Sequence, residues 1–230
     1  IREYGSDGGR IGETDGDAAK GGFCHDFLEG WSWSLHRKTL VIVLIVAALV
    51  NFGVNGIQYA IQLHLVSCGT NATLIGFISG GISLTMLVGS LLAGKLSDKV
   101  PVGPTVCLAY LFICLCALPM ALTDSYWIML VANSFVGLPF PLINAMLLGF
   151  IFAKSPTSMQ GRITVTLTVP AQVLSMFCSA VAGTLLPVFG FHGAVLVFLA
   201  VLVASAVLVI CSRSIRSIPK AAQWEHTMLR

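Results

Sequence analysis

Charge is what this sequence lacks. Lys, Arg, Asp and Glu make up 10% of its 230 residues, against about 25% in ordinary soluble domains. Residues 1–38 hold twelve of the charges and residues 213–230 hold five, so the 174 residues of 39–212 carry six: Lys95, Asp98, Lys99, Asp124, Lys154 and Arg162. A soluble protein of this size has no means of covering its surface with so few. That excludes a soluble enzyme, a nucleic-acid binder and a disordered chain. Other things are missing too. There is no CxxC pair, no GxSxG elbow and no HExxH helix, so thiol, serine and zinc chemistry have no motif to stand on. We expect no catalytic residues, no metal site and no cofactor. The seven cysteines read as small polarisable packing residues. No Asp or Glu falls in the body of any apolar stretch, so a buried coupling carboxylate is absent as well.

What remains is an apolar chain punctuated by short polar breaks. A membrane-crossing helix needs about 20 mostly apolar residues. Six such spans are expected, at 39–66, 73–95, 104–122, 126–153, 163–188 and 193–212. The runs are too long and too continuous for the alternating strands of a barrel, and helices satisfy their own backbone in lipid. Arg37 and Lys38 precede span 1, Lys95 and Lys99 follow span 2, Lys154 and Arg162 follow span 4, and Arg213, Arg216 and Lys220 follow span 6. The loops between hold no Lys or Arg, so both termini are expected on the cytoplasmic side of a plasma-membrane protein. The even span count requires the same. The overall charge of +3 then reflects contact with lipid headgroups rather than nucleic acid.

The ends read differently. Residues 1–22 are rich in Gly and Asp and read as a disordered cytoplasmic linker. Residues 23–38 place Phe23, Phe27, Trp31 and Leu35 every four residues and read as an amphipathic juxtamembrane segment. Residues 213–230 read as a cytoplasmic tail. A polar tail opening on Ile1 leads us to expect part of a longer protein. Asn71-Ala72-Thr73 is a glycosylation sequon, but one very close to the membrane.

Polar stripes separate the helices. Span 1 carries Asn51, Asn55, Gln58 and Gln62 at spacings that share one helix face, and span 5 carries Thr168, Gln172, Ser175 and Ser179 likewise. Span 2 carries Ser79, Ser83 and Ser90, and span 4 carries Asn133, Gly137, Pro141 and Asn144; spans 3 and 6 carry no stripe. Ser and Thr stripes favour glue between helices. The four amides of span 1 favour a water-filled cavity, because close packing rarely absorbs so many hydrogen-bonding ends. Read in threes, the order is polar, small-polar, apolar, then polar, polar, apolar, which suits an inverted 3+3 repeat. Pro139, Pro141 and Pro170 inside spans add kinks. His64 and His192 lie near span ends and read as interfacial polar residues.

The loop Gly94-Lys95-Leu96-Ser97-Asp98-Lys99-Val100-Pro101 resembles the signature loop of the major facilitator superfamily, whose core is Gly, three residues, Asp, then Arg or Lys. Gly94, Asp98 and Lys99 match; Pro101 stands where the family has Gly, and the closing basic pair is absent. The run from Phe23 to Leu40 is similar to the segment before the seventh helix in drug, macrolide and siderophore exporters of that family, and Gln160-Gly161-Arg162 is similar to the Gly-Arg before their eleventh helix. The resemblance implies an all-α membrane protein whose six transmembrane helices form a 3+3 inverted repeat, the C-terminal half of a twelve-helix secondary transporter. It implies export of a hydrophobic small molecule by alternating access, with the missing N-terminal six-helix half and membrane lipids as partners. The family puts the first helix of each triplet at a central cavity, the second between the halves and the third at the rim. On that plan Asn51, Asn55, Gln58, Gln62, Asn133 and Asn144 line the substrate cavity. Ser79, Ser83, Thr168, Gln172 and Ser175 lie between the halves, and Gly94, Asp98, Lys99 and Arg162 form the gating loops. Two alternatives stay open: a complete six-span protein working as a homodimer, and a membrane-embedded enzyme, for which the sequence offers no nucleophile–base pair.

Overall fold

The computed structural model describes residues 38–155 and 157–220. The expected linker at 1–22, the juxtamembrane segment at 23–38 apart from Lys38, and residues 221–230 lie outside the described residues. The elements are α1 Lys38–Ser67, α2 Ala72–Leu96, α3 Val102–Leu122, α4 Tyr126–Gly137, α5 Phe140–Ala153, α6 Thr157–Cys211 and α7 Arg213–Arg216. Among the described residues, five helices are long and apolar enough to cross a membrane, with α4 and α5 counted as the run Tyr126–Ala153 and α6 as the run Gln160–Cys211.

The ends of these helices follow local chemistry. Gly69 takes φ 69° after α1, a left-handed position that glycine adopts without strain, and the Thr70 amide bonds back to the Leu65 carbonyl at 3.0 Å. Asn71 then caps α2, its side-chain oxygen accepting the Thr73 N–H at 3.0 Å. The sequon asparagine is therefore engaged in its own helix start.

Three expected boundaries change. Residues 126–153 form two helices, because Pro139 and Pro141 lack amide hydrogens and Leu138 closes a tighter turn onto the Phe135 carbonyl at 3.2 Å. The loop expected at 154–162 is helical from Thr157 onward; Gln160, Gly161 and Arg162 are the polar first turns of a helix rather than a connection. The break expected at 189–192 narrows to Gly190, whose φ 70° and ψ −179° interrupt α6 and divide it into an arm before (157–189) and an arm after (191–211).

Packing relies on close backbone approach. A Cβ on Gly56 would overlap the Phe198 ring, and one on Gly53 would overlap Leu202, so α1 lies directly on the second arm of α6. The first arm holds α1 from another side: Cys178 Sγ donates to the Phe52 carbonyl at 3.4 Å. A parallel seam joins α2 to α4 and α5. Gly81 abuts Ser134, Gly137 abuts Ile82, and Gly89 sits beneath the Leu138 carbonyl. Small residues at such seams let dispersion and hydrogen bonding hold helices where lipid offers no hydrophobic drive. The buried apolar cluster includes Ile61, Ile113, Met120, Met146, Ile163 and Phe198. By contrast, only 11% of the apolar window of α2 is buried, against 39–44% in the other four runs.

After α6 the chain turns back. The Gly103 amide bonds to the Ile218 carbonyl at 3.1 Å, and Ile215 and Ile218 are buried. The start of the expected tail thus packs against the first turn of α3.

Replacing Gly89 by Ala should push α2 off the Leu138 carbonyl and cost about 1–3 kcal/mol, read as a lower melting temperature of the purified protein. Gly76→Ala, whose new Cβ meets nothing within 4 Å, should hold or slightly raise the melting temperature, since alanine favours a helix interior over glycine.

Candidate substrate cavity

A recess of about 270 Å³ opens between α1, α3, α5 and the first arm of α6. Its walls are apolar, with Val43, Val50, Leu147 and Leu167 among them, and its hydrogen-bonding groups are Asn51, Tyr110, Asn144, Thr168 and Gln172. Among the described residues, no charged one lines it. Asn51, on the wall of the recess, uses its amide N–H on the Ala47 carbonyl at 2.8 Å. The Thr168 hydroxyl donates to the Thr164 carbonyl at 2.8 Å. Asn144 and Gln172 are exposed. The arrangement suits a neutral, mostly apolar solute that accepts and donates a few hydrogen bonds.

The rest of the α1 stripe turns to neighbouring helices. Asn55 Nδ2 donates to the Asn51 carbonyl at 2.8 Å and to Ser175 Oγ on α6 at 3.3 Å. Gln58 Nε2 and Gln62 Nε2 both donate to Ser79 Oγ on α2 at 3.3 Å. Gln58 Oε1 is buried without a partner among the described residues, an acceptor that this seam leaves unpaired. Asn133 is 2% exposed and donates to the Ile78 carbonyl at 3.3 Å, inside the α2–α4 seam and away from the recess. Near it the Thr85 hydroxyl donates to the Ser134 carbonyl, and Tyr126 Oη donates to the Leu74 carbonyl at 2.8 Å. The structure therefore brings Asn51, Asn144, Thr168 and Gln172 together, and it spreads Asn55, Gln58, Gln62 and Asn133 over three helix seams.

The residues expected between halves divide likewise. Ser83 is exposed on α2, with its hydroxyl on the Ser79 carbonyl at 2.9 Å, while Ser79 and Ser175 take the α1 amides. Of the gating residues, Gly94, Asp98 and Lys99 are exposed around the turn after α2, and Arg162 is half-buried in the first turns of α6.

The sequence matches the family model described as Major Facilitator Superfamily over residues 42–228. The chain belongs to the major facilitator superfamily. It is a multi-pass membrane protein of a family of transporters, not of enzymes. Among curated proteins, none matches it.

One constellation escaped the sequence reading. At the end of the bundle opposite Lys95, Lys154 and Arg213, Asp124 Oδ1 lies 3.7 Å from His64 Nε2 and 3.6 Å from His192 Nε2. The signal was present: Asp124 is the one acid between spans on that side, and His64 and His192 lie near span ends on the same side.

Ser79→Ala removes the acceptor shared by Gln58 and Gln62. We expect a loss of about 1 kcal/mol of stability, seen as a lower unfolding midpoint, whereas Ser83→Ala should leave the midpoint in place.

Proposed function

We propose that the chain is the C-terminal six-helix half of a twelve-helix secondary transporter that exports a hydrophobic small molecule, drug- or siderophore-like, across the plasma membrane. The observation that carries the reading is the uncharged recess of about 270 Å³ with Asn51, Asn144, Thr168 and Gln172 at its wall. A drug-like solute loses little on entering an apolar recess, and a few neutral groups orient it. Charged cargo would lack a counter-charge there, since no Asp, Glu, Lys or Arg lines the wall.

The span count supports the same architecture. A straight helix of 52 residues, the length of the run Gln160–Cys211, would reach about 78 Å, more than twice a hydrocarbon core. The interruption at Gly190 suits two antiparallel crossings, which makes six spans in two triplets. Both termini then lie on the cytoplasmic side with the basic loops.

The N-terminal half is the partner we assign to the open face of α2. Leu84, Leu87 and Leu91 are 63%, 59% and 66% exposed there, and Ser83 stands on the same helix. Val173 and Met176 on the first arm of α6 are exposed too. In this reading Asp98 engages a helix N-terminus of the other half and closes the cytoplasmic side; a carboxylate in that place contributes about 0.3–2 kcal/mol. Gly94, Lys99 and Arg162 shape the same closure. The coupling ion is taken up in the other half, because no acid lies in the span bodies of this one.

In the full-length protein, Asn144→Leu or Asn51→Leu should reduce efflux of a lipophilic fluorescent dye by about tenfold, the equivalent of one lost hydrogen bond, with unchanged membrane insertion. Asn133→Leu should instead lower the folded yield. Unchanged efflux in both recess variants overturns this cavity as the transport path.

A further inference from the structure

The His64, Asp124 and His192 constellation has no part in the cavity. Three separate elements meet in it: the last turns of α1, the turn between α3 and α4, and the residue two beyond the Gly190 break. One carboxylate oxygen faces both imidazoles at 3.6–3.7 Å, too long for a neutral hydrogen bond and within range of an ion pair. The His64 ring also stacks on Phe191, with centroids 4.2 Å apart and planes 20° apart, and Phe191 in turn meets His192 edge-on at 5.6 Å. The break in α6 is therefore attached to α1 by one aromatic stack and one shared carboxylate.

Few other titratable groups stand here. Cys68 Sγ lies 3.8 Å from His64 Nε2 on the same helix, and Tyr126 at the start of α4 has its hydroxyl committed to the Leu74 carbonyl of α2. No Lys, Arg or Glu occurs in the connections on this side; the described basic residues start α1, flank the α2–α3 and α5–α6 turns or follow α6. Among the described residues, the charge of this end is set by one acid and two histidines, and histidine is the side chain that gains or loses charge between pH 5 and 8.

We propose that His64, Asp124 and His192 form a proton-operated clasp that ties the Gly190 break to the end of α1. With both imidazoles neutral, Asp124 has no cationic partner among the described residues, and at this end the Gly190 break keeps only its Phe191 stack on α1. A proton on either imidazole makes a charge pair with the carboxylate and draws the α3–α4 turn against α1 and α6. The sign follows from the chemistry of the pair: it needs a protonated imidazole and an ionised carboxylate, so acid forms it and alkali removes it. The clasp holds this end more firmly in acid. It does so whatever the protein transports.

Hydrogen exchange of the purified full-length protein tests this. After correction for intrinsic exchange, amides at 65–70 and 190–193 should be about two- to fivefold better protected at pH 5.5 than at pH 8.0, the scale of a solvent-accessible ion pair. Asp124→Asn and the double variant His64→Gln, His192→Gln should each abolish that difference while leaving protection of α3 intact. An equal pH difference in Asp124→Asn and wild type, or none in wild type, overturns the clasp.

Discussion

Two glycines one turn apart on α1 decide how this bundle closes. Gly53 and Gly56 let the α1 backbone rest on Leu202 and Phe198 of the second α6 arm, and Phe52 adds a tilted ring contact to Phe198 at 5.6 Å. In water a hydrophobic face would find its partner by expelling solvent. Among lipid tails no such drive exists, and helices must gain from fit and from hydrogen bonds that lipid cannot make. The α1–α6 seam has both, because the Asn55–Ser175 and Cys178–Phe52 bonds lie on it. With α1 fixed at this distance, its opposite flank reaches Ser79 of α2 through Gln58 and Gln62. The position of α2 then fixes α4 and α5 through Gly81, Gly89 and Gly137.

This chain of dependence explains why one amide stripe serves two purposes. An amide in a span needs a partner, and the cost of leaving it without one keeps it off the lipid. Asn55, Gln58 and Gln62 meet that need at the seams through their amide N–H groups, though Gln58 Oε1 stays unpaired among the described residues. Asn51, a turn closer to the basic end, donates to the Ala47 carbonyl of its own helix and lines the recess. Cavity and glue are thus successive turns of the same face, divided by which neighbouring helix is near.

The apolar runs and the breaks before α2 and α4 were legible in the sequence because each depends on a residue or two: Gly69 and Asn71 before α2, Thr123 to Ser125 before α4; the loop expected at 154–162 was not, because Gln160, Gly161 and Arg162 continue a helix that starts at Thr157. The division of Tyr126–Ala153 into two helices was only half legible. Pro139 and Pro141 announced a kink, but whether it bends a helix or ends one depends on Gly89 accommodating the Leu138 carbonyl from across the seam. The fate of Asn133 was illegible for the same reason. Its spacing to Asn144 put both on one broad face, yet the intervening break rotates the two ends independently, and Asn133 turns to the Ile78 carbonyl. Periodicity assigns faces only while a helix stays continuous.

The uncharged interior also decides where electrical events can occur. A proton or ion taken into the middle of these helices would meet amides, hydroxyls and hydrocarbon, and a charge without a partner there is expensive. Charge changes are confined to the two ends. At one end stand Asp98, Lys99 and Arg162, so movement there answers to whatever docks beside them. At the other, Asp124 is set against two histidines, so movement there answers to the medium. A transporter built this way keeps solute binding and pH response in separate layers, and the Gly190 break is where the second layer can bend the helix that lines the first.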